Sequence, residues 1–338
     1  MELLVYLKEA VEARRRLLDE DRLGAIRLFN GFLEGYPDLV IDLFAGTLIL
    51  NSYARSPEAS QEAAFAAVGF LRDEISWVHT AIIKCRHSPQ VSERRGRILL
   101  GDQPDERVRE HGVWYAVNPL LNQDNSFYPD TRLLRRWALD SLAGKSVLNT
   151  FAYTGSLGVA ALAGGARRVI HIDLNRSFLD LAKKSCSLNG FPIQKSDFLA
   201  QDFFTAIGRL KRSGQQFDCV ILDPPFFSTT ARGQVDLLNE NNRLINKVRP
   251  LLNHGGYLAV VNNALYLSGE DYMRTLEQLC ADGYVRLLRI IPIPLDCAGY
   301  PQTVKRGLPA DPAPFNHATK IAILQVRRKG EGDFPALP

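Results

Sequence analysis

Five cysteines, at positions 85, 186, 219, 280 and 297, are scattered through 338 residues with no Cys-x-x-Cys pair among them. That spacing argues against a thiolate zinc site and a disulfide framework, so no metal is expected and a reducing compartment is. No stretch holds the roughly eighteen uninterrupted apolar residues of a membrane helix. The opening Met1-Glu2-Leu3-Leu4-Val5-Tyr6-Leu7-Lys8-Glu9 turns into a charged amphipathic helix through Arg14, Arg15 and Arg16, with no signal-peptide apolar core. A cytoplasmic protein without membrane attachment is therefore expected. Lys plus Arg number 41 against 37 Asp plus Glu, and the resulting net charge of +4 is too weak by itself to argue for nucleic acid. No internal repeat or low-complexity tract is visible. A nicotinamide dehydrogenase would show G-x-G-x-x-G at its first strand-to-helix turn, whereas this chain reads Tyr153-Thr154-Gly155-Ser156-Leu157-Gly158, with Tyr where the first Gly belongs. No phosphate-cradling loop is present.

What remains is a chain with 46% hydrophobic residues, long enough for about two domains. In residues 1–128, Leu39–Phe44 and Thr47–Tyr53 flank Ala45-Gly46 and read as a hairpin, and Ser56-Pro57-Glu58-Ala59 opens an Ala-rich helix to about Ile75. Val78–Lys84 reads as a strand, and Arg97–Leu100 with Val113–Val117 as a further strand pair. This order predicts a small α+β domain. From residue 129 to 330 strand and helix alternate, as a doubly wound α/β sheet requires, with strands at 146–150, 168–173, 198–201, 219–222, 257–262, 285–291 and 321–327. The Pro- and Gly-rich stretch 292–314 is expected as a loop placed to cover the cleft, and 331–338 as a tail.

In such a sheet, groups at the carboxyl ends of successive strands converge on one crevice. Val147-Leu148-Asn149-Thr150-Phe151-Ala152-Tyr153-Thr154-Gly155 reads as a strand breaking into a tight turn, where Gly155 lets backbone approach a ligand and Thr154 offers a hydroxyl. Asp173, eighteen residues beyond Gly155, ends the next strand and is placed to accept from both hydroxyls of a ribose. Asp202 after the third strand is placed to accept from an adenine amino group, with Phe203 near the ring face. Asp223-Pro224-Pro225-Phe226-Phe227 ends a fourth apolar strand; its prolines stiffen the loop and remove donors, leaving a carboxylate, carbonyls and aromatic rings for a planar, nitrogen-bearing substrate. A Gly at such a turn can be turn chemistry alone, and an Asp after a strand can be a helix cap. Their joint order is what points to a cofactor-binding crevice.

These motifs resemble those of the class I S-adenosylmethionine-dependent methyltransferases, and within them the ribosomal RNA large subunit methyltransferase I and K group. The likeness spans residues from about 30 to 328. It rests on Gly35-Tyr36-Pro37-Asp38-Leu39-Val40-Ile41-Asp42, Phe127-Tyr128-Pro129-Asp130-Thr131-Arg132, the Leu148–Ser156 segment, His171-Ile172-Asp173-Leu174-Asn175, Leu188-Asn189-Gly190 and Leu222-Asp223-Pro224-Pro225-Phe226-Phe227-Ser228. The resemblance implies a Rossmann-like seven-stranded catalytic domain preceded by a small α+β domain that helps grip RNA. It also implies S-adenosylmethionine as cofactor, held by Phe151, Tyr153, Thr154, Gly155, Asp173, Leu174, Asp202, Phe203 and Asp223. Arg132 joins that set as a group for the methionine carboxylate, or for a phosphate or an aspartate. The catalytic candidates are Asp223, Pro224 and Phe226; Phe227, Asn262, Asn263, Arg94 and Arg95 are the substrate candidates.

One departure bears on the target atom. Members that methylate cytosine C5 resemble one another in a catalytic Cys after the fifth strand, where this chain reads Leu258-Ala259-Val260-Val261-Asn262-Asn263. The segment ahead of residue 30 is also expected to be too short for the RNA-binding domain with which those members start. Cytosine C5 is a poor nucleophile until a thiolate adds at C6, whereas a ring or amino nitrogen needs no such help. Paired Asn after the fifth strand resembles the K-type guanine enzymes. The expected activity is therefore methylation of a purine nitrogen, of guanine in ribosomal RNA, with the arginines near 94–97 and 132–136 gripping single-stranded or looped RNA. The alternatives are cytosine C5 chemistry, for which Cys297 in the late loop is the thiol to test, a protein glutamine-type amide as target, or a cofactor-binding module without catalysis. A homodimer is left open.

Overall fold

The computed structural model describes residues 2–20, 22–230, 232–238 and 241–335. The chain forms two compact units, Met1–Arg132 with Pro294–Gly307, and Leu133–Ile293 with Leu308–Pro338.

In the first unit, helices α1 (Glu2–Ala13) and α2 (Arg15–Glu20) precede β1 (Ala25–Asn30), the short α3 (Gly31–Glu34), β2 (Leu39–Phe44) and β3 (Thr47–Ser52). Then come α4 (Pro57–Glu74), β4 (Thr80–Cys85), α5 (Val91–Arg95), β5 (Arg97–Leu100), β6 (Arg107–Glu110) and β7 (Val113–Ala116). The five-stranded sheet runs β1-β2-β3-β4-β5, with β3 and β4 parallel. A parallel pair needs a crossover, and α4 supplies it. Pro57 sits at the first helical position of α4, and the Ser56 side chain accepts from the Ala59 N–H at 3.1 Å, so the start read from Ser-Pro-Glu is a capped one. Leu7, Leu28, Ile41, Leu48, Leu50, Ala64, Leu71 and Ile83 form the core of this unit.

Two expectations change here. Arg97–Leu100 does not pair with 113–117; it joins β4, while Val113–Ala116 forms a separate hairpin with Arg107–Glu110, a strand whose three charged residues around Val108 disguise it as loop. Residues 294–307 are no free loop but part of this unit. A short helix, Leu295–Ala298, lies against β1, the Asp296 carboxylate accepts from the Arg27 N–H at 3.0 Å, and the Asn30 side chain donates to the Cys297 carbonyl at 3.1 Å.

In the second unit, α6 (from Arg132 to Ser141) leads into β8 (Ser146–Thr150), α7 (Ser156–Ala163), β9 (Arg168–Asp173), α8 (Arg176–Leu188), β10 (Phe198–Ala200), α9 (Phe203–Arg212) and β11 (Phe217–Leu222). A hairpin, β12 (Phe227–Thr230) with β13 (Gly233–Asp236), precedes α10 (Asn241–Val248), β14 (Leu252–Asn262), α11 (Gly269–Cys280), β15 (Val285–Ile291) and β16 (Lys320–Val326). The sheet order is β10-β9-β8-β11-β14-β16-β15. Strands β8 to β11 and β14 run parallel, and β16 is antiparallel to both neighbours. This is the Rossmann-like, doubly wound seven-stranded sheet, and the order reverses between β8 and β11, where such folds open a crevice. The expected tail is docked in part: Arg286 lies over the Phe334 ring and donates to the Pro335 carbonyl at 3.0 Å, and 336–338 lie outside the described residues.

Candidate active site

The crevice is built by the turn after β8. Phe151 and Tyr153 both adopt positive φ, 50° and 49°, and Gly155 follows at 79°, a left-handed conformation that glycine alone adopts without strain. The turn is closed by the Gly155 N–H on the Ala152 carbonyl at 2.7 Å and pinned to β9 by the Ala152 N–H on the Ile172 carbonyl at 2.8 Å. Below it lies His171, fully buried and stacked on Phe198 at 5.1 Å. A side chain at Gly158 would place its Cβ 2.4 Å from His171 Cε1, so the ring and the helix N-terminus fit only because that residue is glycine. Burial depresses the His171 pKa to about 4, and the ring is neutral at physiological pH.

Asp173 ends β9 with one oxygen accepting from the Tyr153 N–H at 2.8 Å and the other from the Asn175 N–H at 2.8 Å. The carboxylate keeps acceptor capacity beyond its backbone bonds. Burial raises its pKa, and the backbone N–H bonds of Asn175, Tyr153 and Leu174 oppose the shift. Leu174, next in the chain, is 66% exposed, an apolar side chain held in solvent beside a carboxylate. The Gln201 N–H donates to the Asp173 carbonyl at 3.0 Å, bringing the ends of β9 and β10 together, while Gln201 Oε1 is buried without a hydrogen-bond partner. Asp202 caps α9 by accepting from the Thr205 N–H at 3.0 Å, and its other oxygen accepts the Thr230 hydroxyl at 2.8 Å. The cap reading of Asp202 is thus realised, with lone pairs to spare. Phe203 departs from expectation: it is buried, stacks on Phe151 at 4.5 Å and belongs to the core, so the exposed apolar surface here is Leu174.

Beyond β11, Asp223 is half-buried and Pro224 buried, while Phe226 and Phe227 stand 46% and 56% exposed at the foot of the hairpin. The hairpin is anchored at both ends. Its tip bonds Asp202 through Thr230, and Gly233 packs so closely on the Phe204 ring that a Cβ there would lie 2.6 Å from it. At its base the Leu237 carbonyl accepts from Asn262 Nδ2 at 3.2 Å. Asn262 is fully buried, and its Oδ1 accepts from the Ala264 N–H at 2.9 Å. The substrate contact expected of Asn262 is therefore corrected: its amide is consumed holding the strand end, and of the pair only Asn263 is exposed. Lys320, opposite Asn262 in the sheet and buried, donates to the Ala264 and Ala318 carbonyls at 3.1 and 2.7 Å. Sequence reasoning missed Thr230, Gln201 and Lys320. Only Lys320 carried a signal, a charge at the head of an apolar strand.

Several arginine expectations do not survive. Of the partners expected for Arg132 it takes the aspartate: both terminal nitrogens lie on the Asp296 carboxylate at 2.9 Å and its Nε is 3.3 Å from Glu110, so its donors are committed within the first unit and not to a cofactor carboxylate. Arg135 is buried and Arg136 pairs with Asp140 at 2.7 Å, leaving no basic face at 132–136. Arg94 donates to the Ser88 and Pro89 carbonyls at 2.7 and 2.9 Å, Arg97 pairs with Glu93, and Arg95 is exposed. Cys297 is buried in the first unit, where burial raises its thiol pKa well above the usual value, so it offers neither access nor a thiolate.

No group of three or more His, Cys, Asp or Glu side chains that could hold a metal occurs among the described residues, and no helix among them is long and apolar enough to cross a membrane. A family model described as S-adenosylmethionine-dependent methyltransferase matches residues 27–284. The ribosomal RNA large subunit methyltransferase I of Serratia proteamaculans is 31% identical over 279 residues, covering 82% of this chain and 70% of its own. That of Aeromonas salmonicida is 33% identical over 224 residues, 66% of this chain and 56% of its own, so the match spans little more than half of that relative. Among solved structures, a methyltransferase complexed with SAH superposes with a TM-score of 0.81 at 21% identity, covering 96% of this chain and 81% of that one. An S-adenosylmethionine-dependent methyltransferase from Streptococcus mutans gives 0.79 at 20% with the same coverage. Its family model, its relatives and the crevice geometry agree, and the chain belongs to the S-adenosylmethionine-dependent methyltransferases.

Proposed function

We propose that this methyltransferase acts on RNA, at a purine nitrogen of ribosomal RNA, with guanine as the base. The cofactor fits the crevice. Asp173 has lone pairs for the ribose hydroxyls, Leu174 an exposed apolar surface for the adenine, and the orphaned Gln201 Oε1 and Asp202 stand at the end of β10 as acceptors for its amino group. Tyr153, Thr154 and Gly155 line the turn, with Phe151 backing it. S-adenosylmethionine bound there supplies an electrophilic methyl on a sulfonium. What the chain must then do is orient the nucleophile and exclude water. Asp223 and the Pro224 carbonyl accept from the exocyclic amine of a base, Phe226 or Phe227 stacks on it, and Asn263 stands at the neighbouring strand end.

The observation that carries the nitrogen reading is the end of β14. Asn262 there is buried and bonded in the chain, and none of the second unit's cysteines lies at a strand's carboxyl end: Cys186 is inside α8, Cys219 in the core of β11 and Cys280 at the end of α11. Without a thiol to add at C6, cytosine C5 has no route to nucleophilicity. A guanine nitrogen already presents a lone pair or an amine that Asp223 can orient. The ribosomal substrate rests on the relatives' names. Incubation with S-adenosylmethionine and RNA containing 5-fluorocytosine tests the chemistry: no denaturation-resistant protein–RNA complex is expected, and a covalent one would restore the cytosine reading.

A further inference from the structure

The arginine runs that stand out in the sequence are consumed by structure, while three arginines that do not stand out come together. Arg22 lies over the Trp77 ring at 4.7 Å; Arg107 and Arg109 lie over the Trp114 ring at 4.7 and 5.6 Å. All belong to the first unit. The Arg109 N–H donates to the Leu23 carbonyl at 2.7 Å, which sets β6 beside the residue after Arg22. Strand β6 alternates exposed and buried, so Arg107 and Arg109 share its solvent face while Val108 and Glu110 are buried, and Arg109 directly opposes Trp114 across the hairpin. Two of the chain's three tryptophans are therefore capped by guanidinium groups at one edge of one unit.

The neighbouring acids are largely engaged elsewhere. Asp105 accepts from the Gly46 N–H and the Thr47 hydroxyl at 2.9 Å each and lies 3.1 Å from His79 Nε2, and Glu20 pairs with Arg16 at 2.7 Å. Arg109 Nε donates to the Gly112 carbonyl at 3.4 Å, across the turn of its own hairpin. A guanidinium resting on an indole keeps its N–H donors, is already partly immobilised, and so loses less freedom when it meets a phosphate.

We propose that Arg22, Arg107 and Arg109, with Trp77 and Trp114, form the surface on which the first unit docks the RNA backbone, in place of the Arg94–Arg97 cluster. The inference rests on the RNA reading above. Arginine supplies the charge and the donors for phosphates, and the indoles beneath hold the guanidinium groups in place for the backbone of single-stranded or looped RNA.

The test uses the full chain and protein-free large-subunit ribosomal RNA, with affinity measured across a salt series. The double variant Arg107→Glu/Arg109→Glu is expected to bind about tenfold or more weakly at low salt, and its slope of log affinity against log salt should fall by about 2. Arg22→Glu should act in the same direction, and Arg107→Gln/Arg109→Gln, which removes charge without reversing it, should show a smaller loss. S-adenosylmethionine affinity should not change in any of them, which excludes misfolding as the cause. Steep salt-dependent binding by the unmodified chain that the double variants leave untouched, or that Arg94→Glu/Arg95→Glu abolishes instead, overturns the assignment of this surface. An unmodified chain whose RNA binding ignores salt overturns the RNA reading itself, and the surface with it.

Discussion

The Thr230 hydroxyl donates to Asp202 at 2.8 Å, joining the hairpin that presents Phe227 to the carboxylate that caps α9 at the end of β10. In the proposed site, one carboxylate would thus serve the cofactor side and fix the platform on the substrate side. Thr230→Val removes the bond and keeps the shape, a loss of about 1 kcal/mol. Methyl transfer should drop about fivefold through the RNA KM, with cofactor affinity nearly unchanged, and Thr230→Ser should restore it. Steady-state kinetics with RNA as the varied substrate decides the matter, and unaltered kinetics for the valine variant would sink the linkage.

Asp173→Ala should weaken S-adenosylmethionine binding by about 1.5–3 kcal/mol, the range for hydrogen bonds to a charged group. It also strips the Tyr153 and Asn175 N–H groups of their acceptor, so the turn loosens as well. Calorimetric titration measures this directly, and an affinity equal to that of the unmodified chain would remove Asp173 from the cofactor site.

Asn262 and Asn263 should separate cleanly. Asn262→Ala leaves the Leu237 carbonyl and Ala264 N–H without partners in a buried place, which costs about 1–3 kcal/mol of stability. Asn263→Ala alters an exposed side chain, so thermal unfolding should be unchanged and any effect should appear in the RNA KM. Equal melting temperatures for the two variants would contradict the division of roles.

Much of the catalytic unit was legible because its strands are short, largely apolar runs alternating with helical segments. The strands 146–150, 168–173 and 285–291 have the bounds read from the sequence. The hairpin 227–236 was not legible: Phe-Ser-Thr-Thr and Gly-Gln-Val-Asp have little periodicity, and their pairing is sustained by Asp202 and Leu237, which are remote or follow the turn. Strand β1 was missed because Arg27 interrupts its apolar pattern; inside the fold that charge is met by Asp42. The same limit governed the site. Asp173 and the Gly155 turn announce themselves by position, whereas the capture of Arg132 by Asp296 joins residues 164 apart and could not be seen in a linear reading.

Acid should act through His171. Its folded pKa, about 4, lies below the ordinary value of 6.5, so between these pH values the unfolded chain binds a proton that the folded chain does not. Stability from this group is present above pH about 6.5 and is lost as pH falls toward 4, on the order of 3 kcal/mol in all. A neutral aromatic, His171→Phe, should flatten unfolding free energy across that window in denaturant titrations. An unchanged slope would show that other groups carry the acid sensitivity.

Mass mapping of methylated nucleosides in large-subunit ribosomal RNA, after incubation with this protein and isotope-labelled S-adenosylmethionine, identifies the target atom. The label is expected on guanosine, at a nitrogen. Label on the C5 of cytidine, transferred by a chain whose strand β14 ends in Asn262 and not in cysteine, would contradict it.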